Sequence, residues 1–549
     1  MSRTVDFDTA FTEARKLHAN GSFAEAEQAY RAMATPGANR EIVLQALLEL
    51  YLQTRRPTLA ADVLVELTEE QPDSLSYYAR LASLLDGLGD IDGAIAHYER
   101  LLKRQPELAA GHFNVALLYK RTLRYQDALL AYEKAASLGI DGVQEVYSNT
   151  GVLYSDMRRP AKAREMYMRA LEVDPAYVPA LFNLAALHEE SGEREQAVAL
   201  YRRIHDANPA HADSLCRLAN IGKLDDRDDP LIDILLAAVQ QSSNDPLAQE
   251  GLYFALGKVL DDVELYEEAF TAYTSANTLG SRRSRYDRQA AEQGFDQIIR
   301  LFDTNWLASA QTRLKDSPIF ICGMYRSGST LVEQMLGAHP AITAGGELDF
   351  LPWLIAHRLT PSPEQIESTA APHLQPIGEE YLARVQELFP DAEHVTDKRP
   401  DNFLHLGLVR SIFPSVRIVY THRRRQDNCL SVFFQQLGEQ LGYAADLHDI
   451  DHYYRLHTRL MDHWQSSFGE NIFTVDYDQL VQTPEPVLRQ LLEFLGLEWD
   501  KRCLEFWRSD NTVKTASIWQ VREGLHTGSS GRWQNYRAFI PDVEKLESD

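Results

Sequence analysis

Residues 317–340 read SPIFICGMYRSGSTLVEQMLGAHP, and the pattern of the chain changes twice inside them. PIFICG is a short apolar run that predicts a strand, MYRSGS is a polar Gly/Ser loop, and LVEQMLGAHP has the apolar periodicity of a helix. Gly323-x-x-x-x-Gly328-Ser329-Thr330 therefore stands between a strand and a helix, which is the setting of a phosphate-binding loop. In such a loop successive backbone N–H groups and a helix N-terminus converge on an anion. The lysine that normally follows the second glycine is replaced by Ser329. Without it the β/γ-phosphates of a nucleoside triphosphate lack their usual partner, which speaks against a kinase or ATPase. Arg326, inside the loop, supplies a forked cation instead.

Three segments downstream extend the α/β pattern. VTDKRPDNFLHLGLVRSIFPSVRIVYTHRRRQDNCLSVFFQQL, residues 395–437, predicts Lys398 in a loop, a helix over LHLGLVRSIF, a buried strand VRIVYTHR and a helix from about Gln426. Arg423 at the strand end and Ser431 within that helix then converge at the carboxyl edge of a sheet. IFTVDYDQLVQTPEPVLRQLLEFLGL, residues 472–497, is a further strand with Tyr477 at its end, and VKTASIWQVREGLHTGSSGRWQNY, residues 513–536, is a loop-rich C-terminal stretch.

Taken in order, these segments resemble the sulfotransferases, specifically the tyrosylprotein group and the bacterial repeat-fused enzymes, over residues 318 to about 540. GMYRSGSTLVEQML with HP and GGEL resembles their 5′-phosphosulfate loop, usually P-R-S-G-T-T, with Tyr325 for the proline and Ser329 for a threonine. The resemblance implies 3′-phosphoadenosine 5′-phosphosulfate (PAPS) as cofactor, with Arg326, Ser327, Gly328, Ser329 and Thr330 on its 5′-phosphate. It implies that Arg423 and Ser431 hold the 3′-phosphate, although Arg424-Arg425 replaces the usual Asp-Pro and leaves open which arginine points inward. Tyr477, Ser517 and the Arg532-Trp533 pair become candidate nucleotide contacts. Lys398 aligns with the family's catalytic lysine, which stabilises the bridging oxygen. Glu347, 21 residues after Arg326, matches the catalytic glutamate of the tyrosylprotein group and would act as base if burial raised its pKa. His339 and His526 are alternative bases. The scheme needs no metal, and no H-x-x-H or acidic cluster argues for one.

Upstream the chain repeats. A small residue followed four positions later by a large one recurs at Ala26/Tyr30, Ala60/Leu64, Ala94/Tyr98, Ala128/Tyr132, Ala163/Tyr167 and Ala197/Tyr201, at intervals of 34, 34, 34, 35 and 34 residues. Pro72, Pro106, Pro175 and Pro209 keep the same beat and end helices. Positions four apart share a helix face, where alanine permits close approach and the large residue fills the space between. Units of this kind stack as a tetratricopeptide solenoid. A coiled coil is disfavoured by the period and by the breakers Gly21-Ser22, Gly87 with Gly89, and Ser191-Gly192. Ala269/Tyr273 marks one more unit, and SRRSRYDRQAAEQGFDQIIRLFD, from Ser281, predicts one amphipathic helix leading onward. The expected organisation is an all-α tetratricopeptide solenoid over residues 1–215, a helical connector over 216–315, and an α/β, P-loop-like sulfotransferase domain with a parallel sheet over 316–549.

Composition bounds the rest. A net charge of −25 over 549 residues disfavours general nucleic-acid binding and confines any polyanion site to a local basic pocket. No window approaches the ~18 uninterrupted apolar residues of a membrane span, and the N-terminus, with acidic residues where a secretory core would lie, predicts a cytoplasmic protein. Cys216, Cys322, Cys429 and Cys503 are too scattered for a disulfide framework or a zinc site. The expected function is sulfation of a hydroxyl acceptor, with a protein or peptide (a tyrosine-bearing segment) held by the repeats. The alternatives are a carbohydrate, lipid or small-molecule acceptor with the repeats used for assembly, and a scaffold with an inactive nucleotide-binding domain. The family resemblance also implies a homodimer.

Overall fold

The computed structural model describes residues 7–359, 371–509, 511–515, 517–542 and 546. The chain forms two compact units, Met1–Ala180 and Leu181–Asp549. In the first, helices run as antiparallel pairs from Phe7–Ala19 with Phe23–Met33 to Val143–Asp156 with Pro160–Val173. The small and large residues of each pair, such as Ala94 with Tyr98 and Ala128 with Tyr132, are buried. A second small residue lies 16 positions before each tyrosine: Ala14, Ala82, Ala116 and Gly151. At Gly151 a Cβ would stand 2.4 Å from the Tyr167 ring, so the first helix of the pair is cut to fit the aromatic of the second.

The second unit begins with helices that keep this rule. Pro246–Asp262 packs on Tyr266–Gly280, and a Cβ on Gly257 would meet the Tyr273 ring at 2.8 Å. Asp229, Asp245, Asp287 and Asp303 cap four of the helices here with their side chains. The Asp287 cap corrects the expected long helix from Ser281. The helix starts at Arg288, because Asp287 accepts the Ala290 N–H at 3.0 Å, while Arg283 and Ser284 ahead of it are bound to Glu439.

Five strands follow: β1 (Ile319–Gly323), β2 (Ile342–Thr343), β3 (His394–Lys398), β4 (Arg417–His422) and β5 (Ile472–Asp476). All pair in parallel, in the order β2-β3-β1-β4-β5. β1 is buried along its whole length, as the strand of a sheet covered on both faces must be. The chain leaves β1 towards β3 and leaves β4 towards β5, so the crevice beyond the carboxyl ends of β1 and β4 is the switch point at which such sheets bind ligands.

Lys398 is not in a loop; it is the last residue of β3, paired with Ile321 of β1, and fully buried. Its polar neighbours disguise the strand. Asp397 is buried because Tyr381 donates to it at 2.6 Å and Asn402 at 3.2 Å, which satisfies the carboxyl inside the sheet. Desolvation nonetheless pushes the Asp397 pKa up to about 7, against those two hydrogen bonds.

Replacing Ala163 by leucine overfills a fully buried helix contact and is expected to cost about 1–3 kcal/mol, read as a lowered unfolding midpoint in calorimetry. For Asp397, a folded pKa of about 7 lies above the ordinary ~3.9, so the folded state holds the extra proton between those values and stability falls as pH rises through that window. Thermal melts from pH 4 to 8 should therefore show a steeper decline for the native chain than for Asp397→Asn.

Candidate active site

Each wall of the switch-point crevice is set by a local constraint. Where the chain leaves β1, Gly323 has φ +155°, and a Cβ there would lie 2.4 Å from the Thr421 carbonyl oxygen of β4. Gly328, φ +97°, caps the helix Ser329–Gly337 and lies so near the Tyr477 ring that a Cβ would stand 2.4 Å from it. Between the two glycines Arg326 takes φ +68°, a left-handed conformation that costs a non-glycine residue energy and that clusters at ligand-gripping sites. Ser329 and Thr330 occupy the first turn of the helix, whose N–H groups have no intrahelical partners and carry the positive end of its dipole.

These elements enclose a cavity of ≈ 290 Å³. Arg326, Gly328, Ser329, Thr330, Glu347, Arg423, Ser431, Tyr477, Ser517 and Arg532, all expected from the sequence, line it together. Arg326 donates from Nε to Ser431 at 3.2 Å, from Nη1 to Ser517, and from Nη2 to Gln520 at 3.1 Å. Arg423 is 7% exposed; it lies 4.9 Å above the Tyr477 ring and donates to the carbonyls of Arg326 at 3.2 Å and Ser529 at 2.5 Å. Its Nε is buried with no partner among the described residues. Arg424 is exposed with its N–H on Asp478, and Arg425 turns to Asp451, so Arg423 is the arginine of the three that faces the cavity. Arg532 pairs with Asp261 and covers the Phe434 ring at 5.4 Å.

The cations depress one another. Burial first, then the charges of Arg423 and Arg532, push the Arg326 pKa down to about 10. Burial likewise lowers Arg423. Burial also works against Arg532, but Asp261 more than offsets it and the net direction is up. The cavity thus holds positive charge that its own side chains do not neutralise, inside a chain of net charge −25.

Two expected residues sit differently. Ser327 turns its hydroxyl to Thr421 at 2.7 Å and is 1% exposed, because the close approach at Gly323 folds it under the loop. Glu347 lacks the burial on which its role as base was conditioned: its side chain is 40% exposed, and Lys398 donates to it at 2.6 Å from inside the sheet. That contact brings the lysine to the cavity through the carboxylate. Of the alternative bases, His339 is buried at the end of the loop helix, bonded to the Glu498 carbonyl and the Ala341 N–H, whereas His526 lines the cavity. Trp533 gives its backbone N–H to Asp427 at 2.9 Å. Sequence reasoning missed Lys514, Thr515 and Gln520, which line the cavity beside Ser517; they belong to a segment without periodicity, and only the stretch as a whole was recognisable. Among the described residues no group of three or more His, Cys, Asp or Glu is placed to hold a metal, and no helix is long and apolar enough to cross a membrane.

Residues 318–501 match the model of the sulfotransferase family, and residues 79–142 and 155–219 match tetratricopeptide-repeat models. An uncharacterized protein of Aquifex aeolicus is 30% identical over 73% of this chain and 54% of its own length. Protein-tyrosine sulfotransferase A of Caenorhabditis elegans is 24% identical over 41% of this chain and 61% of its own. The chain thus spans a little over half the length of these relatives. The sulfotransferase domain of an olefin synthase from Synechococcus PCC 7002 aligns with 44% of this chain and 98% of its own at 19% identity, with a TM-score of 0.33. The chain carries a domain of the sulfotransferase family together with tetratricopeptide repeats.

Proposed function

We propose that this protein is a PAPS-dependent sulfotransferase that acts on a hydroxyl acceptor. The observation that carries the reading is the excess of buried cation in one cavity, above all the unpartnered Nε of Arg423 beside Arg326 and a helix N-terminus. An isolated buried charge is costly, so a cavity built around several is built for an anion. Two arginines approached from different strands suit a nucleotide with phosphates at both ends: Arg326, Ser329 and Thr330 would take the 5′-phosphate, and Arg423 with Ser431 the 3′-phosphate. Tyr477, Ser517 and Arg532 would flank it.

When bound, PAPS supplies an activated sulfuryl group. The chain's own residues do the rest. Glu347, exposed at the cavity edge, would take the proton of an incoming hydroxyl. Lys398, held rigidly in β3, aims a cation at the same point and offsets negative charge that builds on a departing oxygen. The ion pair between them fixes both side chains before any substrate arrives, which removes a reorganisation step. The repeats would present a surface for a protein or peptide, and the likeness to protein-tyrosine sulfotransferases supports a tyrosine-bearing segment as the acceptor. Four thiols outside any disulfide support a reducing, cytoplasmic setting.

Calorimetric titration with 3′-phosphoadenosine 5′-phosphate, without metal, should give micromolar binding. Arg326→Ala or Arg423→Ala should weaken it by roughly 10- to 100-fold, the loss of one or two charge-assisted bonds. Binding of ATP·Mg in its place would overturn the reading. Glu347→Gln should keep that affinity while lowering the rate of radiolabelled sulfate transfer from PAPS to a phenol or tyrosine peptide by about 10²- to 10⁴-fold. Transfer to an oligosaccharide but to no phenol would redirect the acceptor.

A further inference from the structure

The segment 513–522 is held from two sides. On one, Ser517 and Gln520 accept from Arg326, and Thr330 donates to Thr515 at 3.3 Å. On the other lies the turn between the helices Val178–Glu190 and Arg194–Ala207. The Glu190 carbonyl accepts from the Val513 N–H at 3.1 Å and from Arg522 Nη2 at 2.6 Å. Arg522 also donates to the carbonyls of Ser509, at 3.1 Å, and Asn511, which ties the two arms of the segment together. Its guanidinium lies over Gly192, where a Cβ would stand 3.3 Å from Nε, so the bare glycine surface of the turn is what admits it. Arg194 completes the grip, 4.7 Å above the Trp519 ring and paired with Glu523 at 3.4 Å.

These contacts alternate along the segment. Ser517 and Gln520 face Arg326, whereas Trp519 and Arg522 face the helix turn. Its described residues form no helix or strand that would fix those directions. Its placement therefore comes from its ends and from these side chains, and an unheld loop would have to be ordered each time a ligand arrived.

We propose that the Glu189–Arg194 turn is a positioning element of the nucleotide site, and that Arg522 is its principal positioning residue. By gripping the segment, the turn keeps Ser517 and Gln520 on the Arg326 guanidinium and so presets the group that meets the 5′-phosphate. The proposal rests on the reading that the cavity binds a phosphorylated nucleotide. It adds that the repeat helices are part of the machinery of that site, and that anything that shifts the turn shifts affinity.

The test uses the full chain with Arg522→Ala, and Trp519→Ala as a second variant should the first not fold. The dissociation constant for 3′-phosphoadenosine 5′-phosphate should rise five- to fiftyfold, with the sulfation rate at saturating PAPS within about threefold of the native chain. Arg522→Lys, which keeps the charge and one or two bonds, should recover part of the loss. A purely structural role would lower the folded fraction without this split. In parallel, hydrogen exchange over residues 513–522 and phenylglyoxal labelling of Arg326, followed by mass spectrometry without nucleotide, should both increase in the variant. Faster exchange with unchanged labelling and unchanged affinity would overturn the proposal. If the native chain binds no nucleotide, the functional reading fails, and the labelling alone decides whether the turn positions Arg326.

Discussion

The site depends on how closely the chain that leaves β1 passes β4. With the Thr421 carbonyl 2.4 Å from where a Cβ of residue 323 would be, only glycine allows the loop to start there. Ser327 is drawn beneath the loop onto Thr421, and Arg326 is left with φ +68° and its side chain lifted away from the sheet. Arg423, at the end of β4, then reaches the Arg326 carbonyl and locks the turn from the other strand. The candidate phosphate loop and the candidate 3′-phosphate arginine are thus one construction. Its strain is held by hydrogen bonds from two strands and a helix start, which is the condition under which a left-handed arginine persists.

Charge is the second constraint. Desolvation and mutual repulsion lower Arg326 and Arg423, while an acid partner, Asp261, raises Arg532. The protein has acids in plenty, yet within the cavity the carboxylate on a catalytic candidate, Glu347, accepts from Lys398. On the proposed reading, that division would leave the arginines for an incoming anion and the carboxylate for proton transfer. Within the cavity the relevant field is that of a few buried groups, because the remote surface acids are screened over a distance of about 10 Å.

Much of this was legible in the residues. The repeat period rests on steric pairs at a regular spacing, and the Gly/Ser loop between an apolar run and a helix marked the place of the candidate anion site. The structure corrected the reading where polar residues are buried with partners. Lys398 looks like loop in VTDKRP because alternation fails there; it is strand because Tyr381 and Asn402 satisfy Asp397. The hydroxyl of Ser327 points by backbone geometry, which residue type does not encode. Gln520 and Lys514 came into the cavity through tertiary contacts of an aperiodic segment. The choice among Arg423, Arg424 and Arg425 was likewise settled by which side of the strand end each one faces.

The small-and-aromatic rule of the repeats also reaches the site's scaffold. Tyr273, seated over Gly257 in the repeat-like pair of the second unit, stacks on Phe434 at 4.0 Å with their rings 12° apart. Asn277 on the same helix donates to the Phe433 carbonyl at 2.8 Å, and Phe270 packs on Phe433. The helix Arg425–Phe433 that presents Ser431 is thereby braced at its C-terminal end. At its other end Asn428 donates to the Tyr325 carbonyl at 3.0 Å and Asp427 receives the N–H groups of Gly531 and Trp533. A helix clamped at both ends by buried bonds cannot rotate Ser431 away from Arg326 without breaking several of them at once. The repeat-like pair therefore supplies rigidity to the wall of the cavity by the same packing that, in the first unit, builds the helical array.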